Sequence, residues 1–171
     1  MKLYVASSWR NKWQPAVVTL LRQNGHEVYD FREPVPGDHG FAWSDMDPEW
    51  QSWTPVKYVE ALAHPLACDG FRKDWAGMMW AEACVLVLPC GRSAHLEAGC
   101  FVGARKPLVI FYPNFERCEP ELMYKMATWV VTTDHDLVDY LKAVAESQER
   151  QKYLITCAQL GAAFRNQQEG R

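Results

Sequence analysis

The chain opens on an apolar run, Leu3 to Ala6, that ends at Ser7-Ser8 and reads as a short strand. Val17, Val18, Leu20 and Leu21 then recur at helical spacing within Gln14 to Gln23, where Asn24-Gly25 stops the helix. His26 to Phe31 alternates with a period of two, as a second strand does. From Arg32 to Pro55 every period breaks: Pro34, Pro36, Gly37, Gly40, Pro48 and Pro55 accompany Phe41, Trp43, Trp50 and Trp53, the pattern of a long functional loop or lid. A helix is expected from Thr54 or Pro55 to about His64, and another, capped by Asp69, runs to about Ala83. Cys84 to Leu88 is continuously apolar, as a parallel strand covered on both faces would be. After the turn at Pro89 to Ser93, Ala94 to Ala104 is predicted helical and Pro107 to Tyr112 extended. A short helix from Glu119 or Pro120 to Met126, a strand at Trp129 to Thr132 and an amphipathic helix from Asp134 to Glu146 complete the pattern.

Strands that alternate with helices predict an α/β fold: a single-domain, doubly wound parallel sheet of about five strands flanked by helices, with right-handed crossovers. The domain is expected over residues 1–148 with the Trp/Pro-rich insertion at about 32–55, and the polar tail 149–171 is expected to add a helix. Ligands in such folds bind at the carboxyl ends of the strands. The loops from Ala6 to Trp9, from Phe31 onward and from Pro89 to His95 leave those ends, so they are expected to converge on one crevice.

Composition narrows the class. A formal charge of -3 with no basic stripe argues against a binder of nucleic acid polymers, and no apolar run is long enough to span a membrane. Met1 leads straight into a strand without a signal peptide, so a cytoplasmic protein is expected, with Cys68, Cys84, Cys90, Cys100, Cys118 and Cys157 as reduced thiols. No Cys-x-x-Cys or His/Cys pair has zinc spacing, and His39, His64, His95 and His135 are scattered, so neither a metal nor another cofactor is expected.

The chemistry concentrates near one acid. Glu97 stands inside an almost apolar helix, sharing a face with Ala94, Phe101 and Ala104, and a carboxylate placed there needs a partner or a task. A capping box anchored at Ser93 would put its acid at Leu96, one residue away. Ser93 itself reads as a helix N-cap, and with Arg92 it also makes a site suited to a phosphate. Neither a dinucleotide fingerprint nor a P-loop is present. Gly91-Arg-Ser-Ala-His95 resembles a nucleophile elbow except that His95 replaces its last glycine; a serine hydrolase built on it would need an acid and a base such as Glu119 and His135. Asp74 sits on the helix before the Cys84 strand, and beside Glu97 it would let two carboxylates divide acid and nucleophile work. Tyr4 reads as a core residue with a satisfied hydroxyl. The aromatic loop could stack a base, form a mini-core or contact another subunit.

Leu3-Tyr-Val-Ala-Ser-Ser-Trp9, Asp74, and Cys84-Val-Leu-Val-Leu-Pro-Cys-Gly-Arg-Ser-Ala-His-Leu-Glu-Ala-Gly99 followed by Gly103-Ala-Arg-Lys-Pro107 together resemble the nucleoside 2-deoxyribosyltransferases and the related nucleoside 5'-monophosphate N-glycoside hydrolases. The resemblance covers about the first two thirds of the chain, as far as Pro120-Glu-Leu-Met123. It implies a flavodoxin-like sheet, Glu97 as the nucleophile at the anomeric carbon, Asp74 as the group that protonates the leaving base, and Tyr4 as the residue orienting the nucleophile. A covalent glycosyl-enzyme and retention at the anomeric carbon would follow. Ser7, Ser8, Trp9, Gly91, Arg92, Ser93 and His95 would line the substrate, a small nucleoside or nucleotide. Where the transferases carry an asparagine donated by a neighbouring subunit, this chain has Glu121, and the resemblance implies a homo-oligomer with a site completed across subunits. Gly91-Arg92-Ser93 suits a phosphate better than a free hydroxyl, which leaves water open as the acceptor. Two alternatives stand beside this reading: a TIR-like NAD nucleosidase using the same glutamate, and a nucleotide sensor or assembly module without turnover.

Overall fold

The computed structural model describes residues 1–113 and 120–169, with backbone alone at residue 152 and from 154 on. Five strands, β1 (Lys2–Ala6), β2 (Glu27–Asp30), β3 (Ala83–Val87), β4 (Leu108–Phe111) and β5 (Trp129–Val131), form one parallel sheet in the order β2-β1-β3-β4-β5. The chain therefore winds outward from β1 to β2, returns past β1 to β3, and continues the other way. The point of reversal lies between β1 and β3, where open parallel sheets have their ligand crevice.

Period-two alternation divides the core into two layers. Leu3, Val5, Val85, Val87 and Val109 face α1 (Gln14–Gln23) and α5 (Asp134–Glu169), meeting Val17, Val18, Leu21, Leu137 and Leu141. Tyr4, Ala6, Cys84, Leu86 and Ile110 face α3 (Pro65–Trp80) and α4 (Arg92–Gly103), meeting Met78, Ala94, Ala98 and Phe101. Burial on both faces is why β3 reads as an unbroken apolar run. A shorter helix, α2 (Pro55–Leu62), capped by the Thr54 hydroxyl accepting from the Lys57 N–H at 3.2 Å, leads from the insertion to α3.

Several boundaries differ from those the sequence suggests. Asp69 does not cap α3; the helix begins a turn earlier at Pro65, whose missing N–H suits the first position, and the His64 Nδ1 accepts from the Leu66 N–H at 3.2 Å. Asp69 instead pairs along the helix with Arg72 and with Lys73, the latter at 2.8 Å. α4 likewise starts at Arg92, with Gly91 extended at its N-cap, so Ser93 lies within the first turn and caps nothing. The segment before β5 is a 3-10 turn, Leu122–Met126, rather than a short α-helix, and the suggested start at Glu119 lies outside the described residues. α5 runs without a break to Glu169, since it contains no proline and its single glycine, Gly161, is tolerated within the helix. Cys68, Cys84, Cys90 and Cys100 are in no disulfide; Cys118 and the Cys157 side chain lie outside the described residues. Among the described residues no helix is long and apolar enough to cross a membrane.

Candidate active site

The side-chain alternation of β1 that sends Leu3 and Val5 to one layer sends Tyr4 to the other, beneath α3 and α4. β2 pairs with β1 so that Tyr29 stands directly beside Tyr4, and the two rings stack at 5.3 Å with an interplanar angle of 8°. Phe101 closes the far side of Tyr4 at 5.8 Å. Gly77 of α3 is needed here because a Cβ at that position would lie 2.7 Å from the Tyr29 ring. These contacts fix a two-tyrosine floor.

Two carboxylates approach that floor from different helices. On α4 the buried positions Ala94, Ala98 and Phe101 define the inward stripe, and Glu97 lies on it, three residues after Ala94 and four before Phe101. Ala104, expected to share this stripe, is exposed at the helix end. On α3, Asp74 turns inward and its Oδ1 accepts a hydrogen bond from the Tyr29 hydroxyl at 2.9 Å.

Their titration follows from that placement. Burial pushes Glu97 up to about 7, the negative charge of Asp74 adds to the rise, and the Tyr4 hydroxyl opposes it. Burial raises Asp74 to about 6, with the Tyr29 hydrogen bond and the charge of Lys73 opposing. Tyr4 is driven far above the usual phenol range, first by burial and then by the charges of Glu97 and Asp74. The Tyr4 Oη is buried and closes no hydrogen bond of standard geometry, although it lies near enough to Glu97 to favour that carboxylate. The Tyr4 hydroxyl is thus directed toward Glu97 without being consumed by it, whereas the sequence suggested a satisfied core tyrosine. A carboxylate pair of this kind, raised and unequal, can hold one proton near neutral pH and offer one anion and one acid.

The surrounding loops are locked by residues that sequence reasoning missed. Asn11, almost fully buried, donates from Nδ2 to the carbonyls of Val87 at 3.2 Å and Pro89 at 2.9 Å, and its Oδ1 accepts from the N–H groups of Trp13 and Gln14. One side chain thereby joins the loop after β1 to the loop after β3 and starts α1. Arg32 donates from Nη2 to the carbonyls of Ser8, Trp9 and Asn11 at 3.1, 2.9 and 2.8 Å. Buried Gln14 donates to Asp30 at 2.7 Å. Asn11 ahead of Gln14-Pro15 carried a turn signal; Arg32 and Tyr29 carried none, because their roles depend on strand order.

The predicted substrate residues lie in these loops, in the first turns of α4 and just before the 3-10 turn. Ser7 donates to the Val87 carbonyl at 2.9 Å, and the Ser8 hydroxyl accepts from the Arg10 N–H at 3.2 Å. Trp9 is 45 % exposed; its indole N–H donates to the Phe41 carbonyl at 3.1 Å and its ring meets Phe31 edge-on. Gly91, Arg92 and Ser93 are exposed at the start of α4. His95 faces the Gly91 carbonyl at 2.9 Å, the Tyr124 hydroxyl at 3.0 Å and the Cys90 sulfur at 3.6 Å, all through ring nitrogens. Glu121 is exposed just before the 3-10 turn that carries Tyr124. Nothing here makes a nucleophile elbow: Ser93 is an ordinary helical residue, His95 is directed to Gly91 and Tyr124, His135 faces Asp139 at 3.4 Å, and Glu119 lies outside the described residues. Among the described residues the only non-glycine with positive φ is Arg105.

The insertion packs on itself. Trp43 meets Phe41, Trp53 and Tyr58 at centroid distances of 4.9, 5.6 and 5.9 Å, all edge-on. Asp47 accepts from the Trp53 indole and the Lys57 ammonium, each at 2.7 Å, and Asp38 pairs with Lys73 at 2.6 Å. Of the three uses the sequence left open, the mini-core is the one the ring contacts form. A cavity of about 540 Å³ lies between the start of the insertion, β2 and α3, lined by Tyr29, Pro34, Val35, Lys73 and Trp80 among others. Tyr29, whose hydroxyl bonds Asp74, lines it, and neither Asp74 nor Glu97 does.

No family model matches this chain, and no curated protein gives a significant match. Solved structures do. A 2-deoxyribosyltransferase from the psychrotolerant bacterium Bacillus psychrosaccharolyticus matches 82 % of this chain and 92 % of its own, with a TM-score of 0.56 and 21 % identity. A conserved protein of Enterococcus faecalis V583 matches 84 % and 98 %, with a TM-score of 0.53 and 15 % identity. The Clostridium botulinum CMP N-glycosidase BcmB matches 83 % and 99 %, with a TM-score of 0.44 and 11 % identity. At these identities the first two likenesses establish the fold, a single flavodoxin-like α/β sheet.

Proposed function

We propose that this protein cleaves or exchanges the N-glycosidic bond of a nucleoside, a deoxynucleoside or its 5'-monophosphate. The observation that carries the reading is the convergence of Glu97 and Asp74, from two helices, on one partly buried field around Tyr4 beside the β1/β3 switch point. The deoxyribosyltransferase likeness supports it, since an enzyme of that activity shares the fold over most of both chains.

In the proposed reaction the Glu97 carboxylate attacks the anomeric carbon while the C–N bond breaks, and the departing base takes a proton from Asp74. The product is a glycosyl ester on Glu97. Asp74, now ionised, takes the proton from a water or from the N–H of a second base as it attacks the same carbon, and the C–O bond of the ester breaks to release the Glu97 carboxylate with net retention. One proton thus serves the pair through the cycle. Burial raises both carboxyls well above the ordinary carboxylate range, so the free pair holds one proton near neutral pH. A base seated against Asp74 removes its remaining water and favours its protonated form, which brings the pair to the productive arrangement. In this proposal Ser7, Ser8, Arg92 and Ser93 hold the sugar and a 5'-phosphate, and Trp9, Gly91 and His95 complete the substrate lining. The family's cross-subunit site gives Glu121 and a homo-oligomer a place in this proposal, and exposed Leu122 and Met123 beside Glu121 support it.

The test is chromatographic detection of free base after incubation with deoxynucleosides, ribonucleosides, their 5'-monophosphates and NAD, each with and without a second base. Base release or exchange from a nucleoside or nucleotide, abolished in a folded Glu97→Ala variant, is expected. Turnover retained in that variant sinks the mechanism. Because the working form carries one proton, kcat/KM is expected to rise through about pH 6 and fall through about pH 7.

A further inference from the structure

Glu97 starts from a higher ordinary value than Asp74, 4.5 against 3.8, and the hydrogen bonding around the pair is not symmetric either. Asp74 receives a closed hydrogen bond, 2.9 Å, from the Tyr29 hydroxyl. Glu97 has only the approach of the Tyr4 hydroxyl, which forms no bond of standard geometry. The Tyr29 ring has little freedom to leave: it stacks on Tyr4 at 5.3 Å, and the Gly77 backbone lies so close that a single added carbon would strike the ring. The oxygen of Tyr29 is therefore held on Asp74 by packing on both sides of its ring. We propose that Tyr29 is a positioning residue for this pair, its hydroxyl keeping Asp74 ionised in the free protein and so leaving the shared proton on Glu97.

A phenol that donates to a carboxylate stabilises the ionised acceptor and opposes its protonation. Other charged and titratable groups also face Asp74. Lys73, its neighbour on α3, also favours the anion, but its ammonium is divided between Asp38 of the insertion at 2.6 Å and Asp69 at 2.8 Å. Glu97 and Asp74 oppose each other's ionisation, an effect that links the two and favours neither. Tyr4 from β1 and Cys84 from β3 sit deep in the same layer, both driven up by burial and by the charge of Glu97. The closed hydrogen bond from Tyr29 is the one geometric contact that Asp74 has and Glu97 lacks. The proton of Tyr29 is secure, since burial and the Asp74 charge raise the phenol far beyond neutral pH, so it acts as a fixed donor. A fixed donor on the group that must become the acid keeps the unliganded site in its resting arrangement, and entry of a base next to Asp74 is then what moves the proton. That last step rests on the glycosidic reading above; the resting arrangement does not.

The experiment is a carboxyl-carbon NMR titration of ligand-free protein labelled at Asp and Glu, with signals assigned through Asp74→Asn and Glu97→Gln. In the wild type Asp74 is expected to titrate below Glu97. In Tyr29→Phe, which keeps the ring stack and loses only the oxygen, the Asp74 midpoint is expected to rise by one pH unit or more, and both limbs of the kcat/KM profile to move to higher pH. Gly77→Ala, which retains the hydroxyl but displaces the ring, is expected to move Asp74 in the same direction. An unchanged Asp74 midpoint in folded Tyr29→Phe overturns the proposal, as does an activity loss uniform across pH with both limbs in place. Because the titration needs no substrate, a shifted midpoint in a protein that releases no base would refute the glycosidic function and leave the role of Tyr29 standing.

Discussion

At the scale of single residues, Glu97 is a cost to the fold that the proposed chemistry explains. Its folded value of about 7 exceeds its ordinary 4.5, so between those values the native protein binds a proton that the unfolded chain does not. Stability from this group is complete below about pH 4.5 and is lost as pH rises through about 7, and Asp74, raised from 3.8 to about 6, has the same sign. The difference for Glu97 amounts to about 3 kcal/mol at most, reduced by solvent screening because the side chain is only partly buried. Glu97→Gln is therefore expected to unfold at higher denaturant than wild type at pH 8, by about 1–2 kcal/mol, and with little difference at pH 5. Urea melts at both pH values check this, and a Glu97→Gln protein less stable at pH 8 would mean that the carboxylate makes net favourable contacts. The sequence disclosed this residue because a lone acid on an apolar stripe conflicts with its own pattern. It could not disclose Tyr29, which in Glu27–Asp30 looks like any aromatic on an alternating strand and gains its meaning from the register that sets it beside Tyr4.

At the scale of elements, the insertion meets α3 through the Asp38–Lys73 ion pair and through close packing of Phe41 on Gly70. A Cβ at Gly70 would lie 2.6 Å from Cβ and 2.8 Å from Cγ of Phe41, and because Cβ is fixed by the backbone, the Phe41 side chain cannot swing clear. Gly70→Ala improves helix propensity by at most about 1 kcal/mol, while the overlap costs about 1–3 kcal/mol. Net destabilisation is expected, with residues 32–54 cut faster in limited proteolysis while the sheet keeps its protection. Equal cleavage of wild type and variant would mean that the insertion is held by its ion pairs to Lys57 and Lys73 instead. The elements themselves were largely legible, because a parallel sheet buried on both faces leaves apolar runs and its crossovers leave helical periods. Their ends were less so. Asp69 looks like a cap until Lys73 and Arg72 claim it as an ion-pair partner, and Ser93 looks like one until Gly91 takes the extended N-cap position. Local residue type could not decide between those uses.

At the scale of the whole molecule, the strand order places the crevice, and no short pattern encodes strand order. What alternation does imply, once the order is known, is which surface each helix leaves outside. α3 turns Ala67, Gly70, Gly77 and Met78 inward and leaves Phe71, Trp75 and Met79 on successive turns of its outer face, 65, 44 and 47 % exposed, with the first two rings stacked at 5.9 Å. Three large apolar residues in one stripe are more than the scattered exposure ordinary for a monomer, and aromatic and Met side chains are those enriched where subunits meet. The same helix carries Asp74 on its inner side, so an assembly that clamps the outer stripe would also stiffen the helix that positions the carboxylate. Sedimentation equilibrium of the wild type at micromolar concentration is expected to give a multiple of 19.7 kDa, and Trp75→Glu is expected to shift the mass toward a single chain by placing a charge in the contact. If turnover needs the assembly, specific activity should fall with dilution along the dissociation curve and should be low in Trp75→Glu at every concentration. A wild-type monomer with full, concentration-independent activity would remove the oligomer, and with it the role of Glu121 across subunits, while leaving the Glu97 and Asp74 chemistry to stand within one chain.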